Sequence, residues 1–424
     1  MIGREILQFA QRLYPIHRSL TGEGVRDTLE IIKELVPALT IQSVPSGTLC
    51  FDWKVPKEWE ISEAYLLDPD GKEVVNFRNH NLHVVGYSEP IDIELDLDDL
   101  QSHLYSLPDF PDSIPYITSY YEPRWGFCMT DTQRRGLRKG RYRAVIRSRK
   151  FDGVMNFGEL LIPGASKSEV FLSTYICHPQ MANNEVSGPS VLAHIGKWLG
   201  SRDNKLSYRL IFAPETIGAI YYLSQNLSHL KDRVIAGFNI TCIGDDRSYS
   251  MISSRTGDTL ADWVAETVLS EISDGNFNKY SFLERGSDER QYCSPGVDLP
   301  LVTLCRTKFY EFEEYHTSRD NFNLVTENGL AGGFEMVKGC LEYLEKQKRY
   351  IASFPCEPQL GHRNLYPTLG GRRTERFTEK VLNVLMYCDG HNDLRRIAEL
   401  CRLTIDEVQE VAELLLSEKL IFEA

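Results

Sequence analysis

Between residues 168 and 345 short apolar runs alternate with amphipathic stretches, and this alternation constrains the fold of the 424-residue chain more than any other feature. SEVFLSTYI, YRLIFAP, AGFNITCIG and LPLVTLC read as strands, whereas VSGPSVLAHIGKWLGS, TIGAIYYLSQNL, DTLADWVAETVLSEI and GLAGGFEMVKGCLEYLEKQ read as helices. Apolar strands separated by helices predict an α/β fold with a mostly parallel sheet and helices on both faces. Ligands of such a sheet lie beyond the carboxyl ends of its strands.

The flanks carry other patterns. Ile6, Phe9 and Leu13, then Leu29, Ile32 and Leu35, have helical spacing and predict helices over 2–13 and 25–36. The intervening YPIHRSLTGEGVR puts His17, Arg18, Ser19, Thr21 and Glu23 in one loop; a helix cap needs one such residue, so both capping and function stand as readings. Residues 38–165 read as short strands with PSG, PDG and RKG turns, and the aromatic, Pro-rich stretch 103–127 is either a wrap or a pocket wall. After a Pro/Gly-rich connector over 354–375, three helical segments and the strand-like LIFEA outline a winged helix over 360–424.

Charge narrows the partners. Lys and Arg number 47 against 60 Asp and Glu, a net charge of −13, which opposes nucleic-acid binding driven by bulk charge. No apolar run reaches the roughly 18–20 residues of a membrane span, and the N-terminus lacks a signal-peptide core, so a cytoplasmic protein without a membrane partner is expected. Ten scattered cysteines with no CxxC pair read as buried free thiols of a reducing compartment.

The candidate chemistry gathers where strands end. His178 follows the first strand and is turned out of it by Pro179; Glu185 precedes the SG that opens a helix; Glu215 follows the second strand; His316 lies in the polar EEYHTSRDN. Two His and a carboxylate are the protein ligands of an open zinc site, and Glu215 beside them is placed to take a proton from water. Asp288 and Glu289 in GSDERQY are candidates for an acidic wall that attracts a substrate ammonium.

The order of H, NNEVSG, PETIGA, NITCIG, GSDERQ and YHTSRD resembles the zinc aminopeptidases, a family that includes glutamate carboxypeptidase and glutaminyl cyclase. YPIHRSLTGEGVR, DWKVPKEWEISEAYLLDPDGK and YICHPQMANNEVSGP more closely resemble a bacterial group of aminopeptidase-like proteins linked to polysaccharide synthesis. The resemblance implies a zinc-aminopeptidase-like domain over 1–355, interrupted by a small β domain at about 45–110. It places His178 and His316 at ligand positions and Glu215 at the general base. The family's three further acidic ligands align with Asn184, Thr216 and Thr241, so the expectation is one zinc ion held by His178, Glu185 and His316.

Two classes of function follow. The first is a zinc-dependent hydrolase of a peptide or small amide, with Arg18 or Tyr175 holding the substrate terminus; an amidase or deacylase of amino sugars is its variant. The second is a non-catalytic binding protein on a degenerate peptidase fold. A homo-oligomer formed through the winged helix is the expected protein partner. Residues 371–424 hold eight Lys/Arg against eleven Asp/Glu, so the full chain should show no DNA affinity at physiological salt in fluorescence anisotropy with a labelled duplex; binding that weakens as salt rises would contradict this.

Overall fold

The computed structural model describes residues 1–363, 365 and 372–423, which divide into two compact units, Met1–Leu341 and Glu342–Ala424. In the first unit an eight-stranded sheet runs in the order Thr40–Pro45, Val154–Ile162, Ser207–Ala213, Glu169–Tyr175, Val234–Ile240, Leu301–Cys305, Ser250–Ile252, Asn278–Tyr280. The four strands from Ser207–Ala213 to Leu301–Cys305 are mutually parallel, as their separation by helices requires. Glu169–Tyr175 is buried along its whole length, the mark of a central strand covered on both faces. The outer strands join by antiparallel pairing, except Asn278–Tyr280, which pairs parallel with Ser250–Ile252, and these last two are too short to show in the hydrophobic pattern.

Helices Ile2–Leu13 and Glu23–Leu35 form as the apolar spacing predicts, burying Ile6, Phe9 and Leu13 and then Val25, Leu29 and Ile32. The loop between them is folded tightly by two glycines. Gly22 has φ 102°, and a Cβ there would stand 2.7 Å from the Trp59 carbonyl oxygen; a Cβ on Gly24 would fall 1.8 Å from the His17 carbonyl oxygen. The turn between the helices therefore has no room for side chains at these positions, and its polar residues are held in one conformation.

The inserted domain is a four-stranded antiparallel sheet in the order Glu73–Asn76, Glu58–Leu67, Arg141–Phe151, Ile91–Asp96. It extends beyond the 45–110 expected from the resemblance, because one of its two central strands comes from 141–151. Ala64, Leu66, Val75, Phe127, Tyr142, Ala144 and Ile146 fill its core. The aromatic stretch after residue 103 returns to the large sheet: Pro115 bridges Thr317, and the Tyr116 N–H donates to the His316 carbonyl at 2.9 Å. That stretch is a wall of the sheet edge.

The second unit contains strands Arg349–Ala352, Asp389–Asp393 and Ile421–Glu423 in one antiparallel sheet, with helices Arg372–Met386, Leu394–Cys401 and Ile405–Ser417. Val381, Val384, Leu385, Ile397, Val408, Val411 and Leu415 form its core, in a winged-helix arrangement. Two details differ from the sequence reading. The segment DGHND forms a strand instead of a turn, and residues 349–352 belong to this unit instead of to the domain ending at 355. Part of the expected connector, residues 364 and 366–371, lies outside the described residues.

Candidate functional site

His178 leaves the carboxyl end of Glu169–Tyr175 and is buried. Seven residues on, Glu185 sits in a single π-helical turn, Ala182–Val186, that runs into the helix Ser187–Gly200. The wider turn brings the Glu185 carboxylate back onto His178: Oε2 accepts from the His178 backbone N–H at 3.0 Å and lies 3.1 Å from Nδ1. The other oxygen accepts from Arg18 Nε at 3.0 Å, and both partners of that ion pair are wholly buried. Arg18 also donates to the carbonyls of His178 and Leu13, at 3.0 and 2.7 Å. The polar loop at the N-terminus thus supplies the cation that neutralises Glu185, and Glu185 in turn fixes the imidazole with Nδ1–H donated and Nε2 facing the site. Burial alone would push the His178 imidazole down, but the Glu185 hydrogen bond and the charges of Glu215 and Glu185 outweigh it and hold the pKa above the ordinary histidine value.

Glu215 lies on an unusual turn. Thr216 has φ 65° and ψ −74°, and the Ile217 N–H donates to the Glu215 carbonyl at 2.8 Å, which together define a γ-turn of the strained hand. A β-branched residue is sterically unfavourable there, and the surroundings have to enforce it. They do so from both sides: Asp288 accepts from the Thr216 N–H at 2.7 Å, and Arg290 Nη2 donates to Thr216 Oγ1 at 3.0 Å. The turn sets Glu215 Oε2 3.7 Å from His178 Nε2. Burial raises the Glu215 carboxyl above the usual range against the pull of His178 and Arg290. Burial, and after it the Glu215 charge, holds Asp288 well above its own.

His316 completes the group. Its backbone is left-handed, φ 56°, and its ring lies 5.7 Å from that of His178, stacked at 3.9 Å on Tyr315. Tyr116 packs against both imidazoles at 5.3 and 5.1 Å and shares a 2.7 Å hydroxyl contact with Tyr120. His316 Nε2 is buried without a hydrogen-bond partner, and so is Asn184 Oδ1. Burial, then the neighbouring His178 charge, pushes the His316 imidazole down to about 3, so the ring is neutral and one of its two nitrogens carries a free lone pair.

His178, Glu215 and His316 are brought together; the other candidates take different places. Glu185 stands behind His178, on the Nδ1 side with both oxygens engaged, so the expected ligand triad does not assemble. Arg18 is wholly buried and paired with Glu185. Glu289 accepts from the Gly286 and Ser287 N–H groups and from Asn239 and Thr303, which removes it from an acidic wall. Tyr175 flanks His178 at 4.9 Å, but its hydroxyl is held by Thr241 and Asn184. Asp288 braces the turn and keeps its second oxygen buried and unpartnered. Among the described residues no three His, Cys, Asp or Glu side chains are grouped to hold a metal ion. Residues that the sequence reading missed are Tyr116, Tyr120 and Asp320, whose carboxylate accepts from the N–H groups of Asn183 and Asn184 at 2.6 and 2.9 Å and anchors the π-turn.

A family model described as a domain of unknown function, DUF4910, matches residues 7–347, and a winged helix-turn-helix model matches residues 349–423. The chain belongs to the DUF4910 family. A relative from Clostridium acetobutylicum, named as a candidate polysaccharide biosynthesis protein with an aminopeptidase-like domain, is 41% identical over 93% of this chain and 91% of its own length. The crystal structure of a candidate peptidase from the same organism has a TM-score of 0.84 at 38% identity and covers 100% of this chain and 96% of that one. A zinc aminopeptidase of Bacillus subtilis, at 12% identity, 81% and 94% coverage and a TM-score of 0.57, shares the fold. This DUF4910 chain therefore has the aminopeptidase-like α/β fold followed by a winged helix.

Arg18→Met should destabilise the protein by about 3–5 kcal/mol in denaturant unfolding, because it leaves the buried Glu185 carboxylate without its cation. Arg18→Met combined with Glu185→Gln should cost less than the sum of the two single changes. Additive losses would show that the pair is not coupled.

Proposed function

We propose that the chain is a hydrolase of an amide bond in a small peptide or amide substrate, with Glu215 moving the proton. The observation that carries this reading is the facing of Glu215 and His178 Nε2 across 3.7 Å, beside a neutral His316 whose Nε2 has no partner. The orphaned nitrogen, the His178 tautomer set by Glu185 and the uncommitted Asn184 Oδ1 fit one divalent cation, with His178 and His316 as its nitrogen donors and Asn184 as an oxygen donor. Zinc held there supplies polarisation of the substrate carbonyl and a more acidic water.

The remaining work falls to the chain's own groups. Glu215, its pKa raised by burial, accepts the proton of the attacking water and returns it to the departing nitrogen. The Asp288–Thr216–Arg290 brace keeps the carboxylate at the distance that this transfer needs. Tyr116 and Tyr120 wall the site and limit water. The relative's link to polysaccharide biosynthesis supports an amide of that context, such as an amino-sugar amide, as the substrate.

Glu215→Gln should keep the fold and metal content and lower hydrolysis of a set of aminoacyl and N-acyl amides by about two orders of magnitude or more, as an amide accepts no proton. Equal activity of variant and parent would remove Glu215 from the mechanism, and absence of hydrolysis in the parent would leave a binding protein. Arg290→Met removes a charge that pulls the Glu215 pKa down, so the acid limb of the pH–rate profile should move to higher pH; a shift to lower pH would contradict the assignment.

A further inference from the structure

A groove of about 990 Å³ lies between the N-terminal HRSLTGEG loop and the inserted sheet. It is lined by different residues from the site at the sheet edge. Along its walls most charged side chains are already paired, Glu60 with Arg149, Asp92 with Arg143 and Arg147, and Glu23 with Arg26, and Asp27 adds a further carboxylate. An anion would have to break one of these pairs, whereas hydroxyl groups donate to the carboxylates, Asp27 included, and accept from the guanidinium groups without doing so.

Two further features mark the groove as built to receive oxygen atoms. Ser19, about 5% exposed, lines it with a buried hydroxyl that has no hydrogen-bond partner. Gly22, which also lines it, is the N-cap of the helix Glu23–Leu35, and no side chain caps that end. Helix N–H groups seek an acceptor, but the Glu23 and Asp27 carboxylates flank them and repel an anion, so the acceptor that fits is a neutral oxygen. Phe77 and His17, in edge contact at 4.8 Å, add an apolar surface to the same groove.

We infer that this groove is a binding site for a neutral saccharide, its hydroxyls meeting Ser19, the open helix end, Asp27 and the paired charges, and its C–H face lying on Phe77. The site is independent of the chemistry assigned to Glu215.

The test is saturation-transfer NMR and calorimetry of the full chain with maltotriose, cellotriose and chitotriose, and with inorganic phosphate as the ionic probe. At least one trisaccharide should bind the parent with a Kd at or below about 10 mM, and Asp27→Asn and Phe77→Ala should each weaken it by about tenfold. Thermal melts identify a variant that has lost its fold, and Asp27→Asn, an isosteric change in an exposed side chain, keeps the test open if Phe77→Ala does. No trisaccharide binding in the parent, unchanged affinity in a folded variant, or phosphate binding in place of the sugars would each overturn the inference.

Discussion

An arginine with about 1% of its surface exposed has to be neutralised where it lies, and for Arg18 the only anion in contact among the described residues is Glu185. Breaking such a pair leaves a bare charge in the interior, at a cost of several kcal/mol. The pair therefore fixes three things at once: the entry of the N-terminal helices onto the sheet, the π-turn that carries Glu185, and the orientation of His178. The remainder of the site is arranged around that imidazole.

Strain is the second element. A γ-turn at Thr216 and a left-handed His316 are both unfavourable for side-chain-bearing residues, and both occur beside His178. Asp288 and Arg290 hold the first, and the stacking of Tyr315 and the hydrogen bond from Tyr116 hold the second. The rigid parallel sheet sustains both, since its strand ends supply fixed anchor points for loops that would relax if free.

Periodicity made the parallel sheet, its helices and the winged helix legible, because burial on two faces or one face writes itself into the spacing of apolar residues. Strand-end position likewise made His178, Glu215 and His316 legible as a group. What the sequence could not carry is direction. Glu185 and Arg18 are 167 residues apart, and nothing local says that one carboxylate turns toward a buried arginine instead of toward the solvent side. Glu289 and Asp288 are adjacent in sequence, yet one is consumed by four hydrogen-bond donors and the other braces a turn. Asp320 reads as an ordinary loop acid until the fold sets it under the N–H groups of Asn183 and Asn184. The far boundary of the inserted sheet is hidden for a similar reason: Arg141–Phe151 returns to it after a long aromatic excursion, and the strand pattern over 38–165 does not say which runs join the inserted sheet and which join the large one.

The site depends on His178 being held by Glu185 through Nδ1. Two-bond ¹H–¹⁵N correlation spectra of histidine-labelled protein report the ring tautomer directly. At a pH above the raised His178 pKa, the parent should show the Nδ1–H form, and Glu185→Gln should change it or mix it with the other tautomer. An Nε2–H tautomer in the parent, or one indifferent to Glu185→Gln, would contradict the claim that the buried Arg18–Glu185 pair sets the site.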